Sequence, residues 1–150
     1  MPQIINAPSY ENRSTLPFST NTGVVLQHRC ALVFSIATAL VANDLIVLGT
    51  LKEGYKPVSV KADSDGIANL TADILLVDDL ENPATTITVA SGLSFVDDGI
   101  KDGVLTKAAL RYKGLEKPMY LVAKIVDASN AGLGKEIGVT LSYRYRQSTD

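Results

Sequence analysis

Strict alternation of apolar and polar side chains marks residues 137–146 as a β-strand. This period of two residues is typical of a strand with one buried face. The apolar positions are Ile137, Val139, Leu141, Tyr143 and Tyr145. Residues 119–126 are apolar on both faces except for Lys124, which predicts a central strand. Because the turn-rich residues 127–134 lie between these two segments, the pattern predicts a long hairpin.

Further strands are predicted upstream, separated by turn residues. They are residues 24–29, 32–38, 44–51, 57–62, 68–77 and 85–90. Compact turns are expected at residues 63–66, Asp-Ser-Asp-Gly, and at residues 82–83, Asn-Pro. Strands that recur about every 10–12 residues are typical of an all-β sandwich or barrel. Residues 104–112 differ, since their apolar positions share a helical face, and they predict at most one short helix.

Residues 1–22 have a different character from the rest of the chain. They contain three of the six prolines and have little periodicity, which predicts an extended arm before a single domain over residues 23–150. Two interpretations remain open: a disordered terminus, or an arm that orders against a neighbouring subunit. The second is favoured by apolar side chains that a solvated tail does not require. These candidate contact residues are Ile4, Ile5, Tyr10, Leu16 and Phe18.

Composition narrows the class of protein. The chain has 150 residues, of which 46% are hydrophobic and 20% charged, as in an ordinary single globular domain. The net charge of −2 gives no support for nucleic-acid binding. The longest apolar run, residues 31–42, is shorter than the roughly 20 residues that span a bilayer, and no targeting segment is recognised. Cys30, the single cysteine, fits folding in a reducing cytoplasm.

Charge is distributed unevenly along the chain. Residues 62–100 contain eight acidic residues and no Lys or Arg, whereas the rest of the chain contains all 14 basic residues. Two interpretations remain open: solvated loop ends, or an acidic surface that meets a basic partner. Under the second, the candidate docking residues are Asp63, Asp65, Asp78, Asp79, Asp97 and Asp98.

Few residues could act in catalysis or bind a metal ion, and we expect no enzymatic activity and no cofactor. His28, the single histidine, lies two residues from Cys30, which is too far along a strand for a direct nucleophile–base pair. One His and one Cys do not suffice for a zinc site. Residues 63–66 begin like a Ca²⁺ loop, but Ile74 occupies the position of the distal Glu. Whether Ca²⁺ binds among the Asp-rich loops therefore stays open.

One stretch resembles a known family. Residues 42–58, ANDLIVLGTLKEGYKPV, are similar to a segment of small virion structural proteins of tailed bacteriophages, in particular capsid decoration (cement) proteins. Residues 117–122, KPMYLV, residues 131–132, AG, and residues 137–144, IGVTLSYR, extend the resemblance, which runs from about residue 23 to residue 146. Residues 91–116 and the acidic segment after Asp63 match less well.

The resemblance implies a jelly-roll-like β-sandwich that binds the assembled major capsid shell and stabilises it. It further implies a location on the exterior of the virion, for a protein made in the host cytoplasm. A homodimer or homotrimer is expected because the long terminal hairpin and the apolar arm could each pair with a second copy. The net charge and the short apolar run predict no nucleic-acid or membrane partner. The alternatives are another virion structural protein, such as a head fibre base, tail or adaptor protein, and a carbohydrate- or receptor-binding β-sandwich module.

Overall fold

The computed structural model describes residues 2–12, 24–114 and 117–146. These residues form eleven β-strands and two short α-helices. The strands are β1 (Ile4–Asn6), β2 (Val25–Val33), β3 (Thr38–Leu40), β4 (Leu45–Leu51), β5 (Tyr55–Asp65), β6 (Thr71–Val77), β7 (Thr86–Ser94), β8 (Asp98–Asp102), β9 (Met119–Ile125), β10 (Ser129–Ala131) and β11 (Glu136–Tyr145). The helices are α1 (Pro8–Asn12) and α2 (Lys107–Arg111).

Eight strands pair antiparallel in a nested series: β2 with β11, β4 with β9, β5 with β8, and β6 with β7. This series is divided between two sheets, β1-β4-β9-β6-β7 and β2-β11-β5-β8, while β3 and β10 form a separate pair. The predicted all-β sandwich is thus confirmed, and its connectivity is jelly-roll-like.

The hydrophobic core lies between the two sheets, and most of the buried apolar side chains face inward into it. In β11 the alternation has the predicted effect, because Val139, Leu141 and Tyr143 are at most 1% exposed. The ring of Tyr55 packs edge-to-face against Tyr143 and Tyr145, at centroid distances of 5.8 and 5.4 Å. The predicted central strand is also confirmed, since β9 occupies the middle of the five-stranded sheet.

Three sequence-based expectations about local structure are wrong. Strands β9 and β11 do not form a hairpin, because they belong to opposite sheets. Residues 63–65 continue β5 instead of forming a turn, since Asp63 and Asp65 lie on the outer face of the sheet while Ser64 is buried and donates a hydrogen bond to the Phe95 carbonyl. In place of the two strands predicted at residues 24–29 and 32–38, the single strand β2 passes through the buried Cys30 and ends at Val33.

The predicted helix near residues 104–112 is present as α2. The Thr106 hydroxyl caps it by accepting a hydrogen bond from the Ala109 N–H, as is usual at a helix start. Four elements have no counterpart among the predicted strands and helix: β1 and α1 near the N-terminus, β8 and β10.

Candidate functional site

The first part of the N-terminal segment packs on its own chain. Strand β1 pairs in parallel with β4, and the Asp44 carboxylate, which is 1% exposed, accepts hydrogen bonds from the Gln3 and Val41 N–H groups at 2.8 and 2.9 Å. Ile5 packs against the core, whereas Ile4 is 41% exposed. Leu16 and Phe18 lie outside the described residues.

Tyr10 of α1 covers the outer face of the five-stranded sheet. Its ring meets that of Tyr120 edge-to-face at 6.2 Å, above a small apolar cluster that includes Val47 and Val122. Apolar residues therefore occupy both faces of this sheet. Beside the cluster lies a pocket of about 270 Å³. Its apolar walls include Ile4, Leu45, Leu75, Val77, Leu80 and Pro83.

Asp63 takes part in an ion network on the outer face of the four-stranded sheet. Its carboxylate accepts two hydrogen bonds from Arg29, at 2.9 and 2.5 Å, and Arg29 also donates to Glu136 at 2.6 Å. Hydrogen bonds to Asp63 and then to Glu136 raise the pKa of Arg29 above its ordinary value. Gly138 lies beneath this network, where a Cβ would come within 2.6 Å of Asp63.

Asp65 and Asp98 lie opposite each other on neighbouring strands of the same face. Asp65 accepts a hydrogen bond from the backbone N–H of Glu136 at 2.9 Å. Asp98 opens β8, all of whose residues are exposed. Asp97 precedes it and forms an ion pair with Lys101 at 3.3 Å. Four of the candidate acids, Asp63, Asp65, Asp97 and Asp98, are thus collected along the β5–β8 side of the molecule.

Asp78 and Asp79 lie elsewhere, in the loop that follows β6 in the other sheet. Asp78 accepts hydrogen bonds from the N–H groups of Thr85 and Ala84 and from the Lys117 ammonium, at 3.0, 2.9 and 3.0 Å. The Thr85 bond first, and then Lys117, lower the pKa of Asp78 to about 2. The N–H groups of Asn82 and Glu81 lower the pKa of Asp79 in the same way. Both carboxylates hold the loop in shape.

The described residues offer little catalytic or metal-binding geometry. Within the described ranges, no group of three or more His, Cys, Asp or Glu side chains is arranged to hold a metal ion. Cys30 is fully buried, and His28 lies half-buried two residues away on the same strand. No helix in the described part of the chain is long and apolar enough to cross a membrane.

Sequence reasoning missed several exposed apolar side chains. Ile100 in β8 is 73% exposed, between Asp98 and Asp102. Ile36 and Leu133 are each 71% exposed, in two loops that backbone hydrogen bonds join at Phe34. Strand β8 gave no usable signal in the sequence, because Gly99 interrupts it and Ile100 is its single large apolar residue.

Among the comparisons with known proteins, only the search of solved structures finds matches. No protein-family model matches the chain, and no curated protein matches it. A chain in the structure of the capsid of Ralstonia phage GP4 superposes with a TM-score of 0.77, at 24% identity over 97% of this chain and 99% of that one. A chain in the capsid asymmetric unit of cyanophage Pam1 gives 0.58, at 14% identity over 87% and 91%. The protein therefore shares its fold with chains found in two phage capsids.

Proposed function

We propose that this chain is a non-enzymatic capsid decoration protein, which binds the assembled major capsid shell of a tailed phage and stabilises it. The observation that carries this proposal is the likeness to a chain in the GP4 capsid. It extends over 97% of this chain and 99% of that one, so the two match as whole units. The resemblance of residues 42–58 to virion structural proteins supports it independently of the structure.

The geometry suits a structural role. Several of the described ionisable groups make contacts that hold the sandwich together, as in the Arg29–Asp63–Glu136 network and the Lys117–Asp78 pair. A rigid body with exposed loops and edges is what a shell-binding protein requires. Binding to the assembled shell alone would stabilise the shell by mass action.

Docking is proposed to involve the N-terminal segment and the acidic β5–β8 side. In this proposal the arm, with Leu16 and Phe18, contacts a neighbouring copy in a homodimer or homotrimer on the virion exterior. Several linked copies would then engage the shell together, and avidity would raise the apparent affinity without new contacts. The acidic side chains would meet basic groups of the shell protein.

The proposal is tested by adding the purified chain to shells of the phage that encodes it, assembled without this protein. We expect the chain to sediment with the shells, to raise their thermal disruption temperature, and to add regular density on the outer surface in cryo-electron microscopy. Unassembled shell protein is the matched control, and it should bind far less.

Two outcomes would contradict this function. Density at the tail or at a single vertex would favour a tail, adaptor or head fibre role. No density on any part of the virion, together with binding on a glycan array, would favour a carbohydrate-binding module.

A further inference from the structure

Strand β8 leaves one side of the four-stranded sheet open. It pairs with β5 through residues 98–102 and with no other described strand. All five of its residues are exposed, and Ile100 is 73% exposed. A sheet edge of this kind is a ready template for another extended chain.

The hydrogen-bond pattern shows which backbone groups face outward. The Gly103 N–H donates to the Val60 carbonyl at 2.9 Å, so these two residues form a hydrogen-bonded pair of the antiparallel ladder. Such pairs alternate along the ladder, which makes Lys101 and Gly99 the next residues bonded to β5. The N–H and C=O groups of Asp98, Ile100 and Asp102 are therefore directed to the open edge.

The same three residues present their side chains on one face. Ile100 is opposite Asp63 and Asp102 is opposite Lys61 in the register, so all three lie on the outer face of the sheet. Asp63 forms an ion pair with Arg29, and Asp97 forms one with Lys101. Asp98 and Asp102 form no such ion pair in the described structure, which leaves an exposed apolar side chain between two carboxylates.

We propose that this edge accepts an added β-strand from a basic partner. The partner would be an extended segment with an apolar side chain opposite Ile100 and Lys or Arg opposite Asp98 and Asp102. Main-chain hydrogen bonds would supply affinity, and the alternating charges would supply specificity. The inference deepens the proposed function and rests on it for the source of the strand, which would be the capsid shell protein.

A second copy of this chain is the less favourable occupant. An antiparallel β8–β8 pair that used all three open positions would put Asp98 of each copy opposite Asp102 of the other. Like charges directly opposite each other destabilise a strand pair. Asp98 and Asp102 thus disfavour pairing of β8 with the β8 of a second copy, and they favour pairing with a positively charged strand.

Two synthetic peptides test the proposal without any phage component. The first, acetyl-Thr-Lys-Thr-Val-Thr-Lys-Thr-amide, has Lys, Val and Lys at alternate positions, and the second has Glu in place of both Lys. We expect the Lys peptide alone to shift the amide resonances of Asp98, Ile100 and Asp102 in an NMR titration of the full chain. Raising the salt concentration should weaken this response, because both partners are exposed and charged.

Protein variants sharpen the test. The double variant D98K/D102K should lose about tenfold in affinity for the Lys peptide and should respond to the Glu peptide, since two cross-strand charge pairs change sign. The matched control E53K/D127K makes the same change in net charge at two exposed sites away from β8, and it should bind as the original chain does. Ile100→Pro removes an outward N–H, which an edge strand tolerates, and should abolish the response.

The outcomes separate this inference from the proposed function. Equal responses to the two peptides, shifts confined to other residues, or a dimer that Ile100→Pro dissociates would each overturn the added-strand proposal. None of these results bears on whether the chain decorates shells. Conversely, peptide binding at β8 would stand even if shells bound no protein.

Discussion

Two glycines approach each other closely, at a contact that a side chain on Gly114 would disrupt. Gly54 and Gly114 both have positive φ, 85° and 75°, and a Cβ on Gly114 would lie 2.8 Å from the carbonyl carbon and oxygen of Gly54. Arg146 joins the two segments, because its backbone N–H donates to the Gly54 carbonyl and its guanidinium donates to the Gly114 carbonyl. The end of β11 is thereby tied to two distant loops.

Replacement of Gly114 by Ala should destabilise the fold beyond the conformational cost. Gly92 is the matched control, since its φ of 65° is similar and nothing lies within 4 Å of the added Cβ. Gly92→Ala should cost about 1 kcal/mol for left-handed backbone. Gly114→Ala should cost about 1–3 kcal/mol more, because the contact is with backbone that cannot rotate away. Urea unfolding measures both, and equal losses would contradict the close approach.

The lowered pKa of Asp78 leads us to expect that the fold loses stability in acid. Its pKa is about 2 in the fold, below the ordinary aspartate value of 3.8, so the unfolded chain takes up a proton more readily as the pH falls. The stabilisation is complete above about pH 4 and is lost as the pH falls towards 2. In Asp78→Asn, the free energy of unfolding should therefore depend less on pH between 4 and 2. Asp127→Asn, in an exposed loop, should leave that dependence as it is.

At the scale of elements, the sequence predicts strands well where one face is buried. Strand β11 is predicted because five alternating apolar residues enter one core, and β9 because both of its faces are covered. Strand β8 is missed because neither of its faces is buried, so hydrophobicity carries no trace of it. The extra strand β10 is only three residues long and lies within a segment rich in turn residues. The candidate docking edge could not be predicted from the sequence, since that edge is β8 itself.

A buried carboxylate reinforces the pairing of β1 with β4. Asp44 accepts hydrogen bonds from Gln3 and Val41, and the Leu45 N–H donates to the Gln3 carbonyl at 2.8 Å. Asp44→Ala leaves two N–H groups without their acceptor and should cost about 1–3 kcal/mol. Hydrogen exchange at Ile5 and Ala7 should accelerate first, because β1 is a short edge strand. Asp127→Ala is the control, and equal exchange in both variants would show that β1 is held by other contacts.

At the scale of the whole molecule, the arrangement of strands decides which candidate residues meet. Asp63 and Asp98 are 35 residues apart in sequence, yet β5 and β8 bring them to one side of the sheet. Asp78 and Asp79 lie between them in sequence but are in the loop that follows β6, a strand of the opposite sheet. Local patterns of hydrophobicity contain no information about which strands pair. The acidic segment could therefore be recognised from sequence, but its division into two separate regions could not.

The nested topology also predicts slow folding. The contact between Arg29 and Glu136 joins residues 107 positions apart, and the β2–β11 pair around it encloses nearly all of the sandwich. Since loop closure must precede the gain from such pairing, refolding should take milliseconds to seconds or longer. The chain has no Trp, so emission of the packed Tyr55 and Tyr143 rings is the natural probe in a stopped-flow experiment. Complete refolding within tens of microseconds would mean that local contacts dominate, which the nested order of strands does not allow.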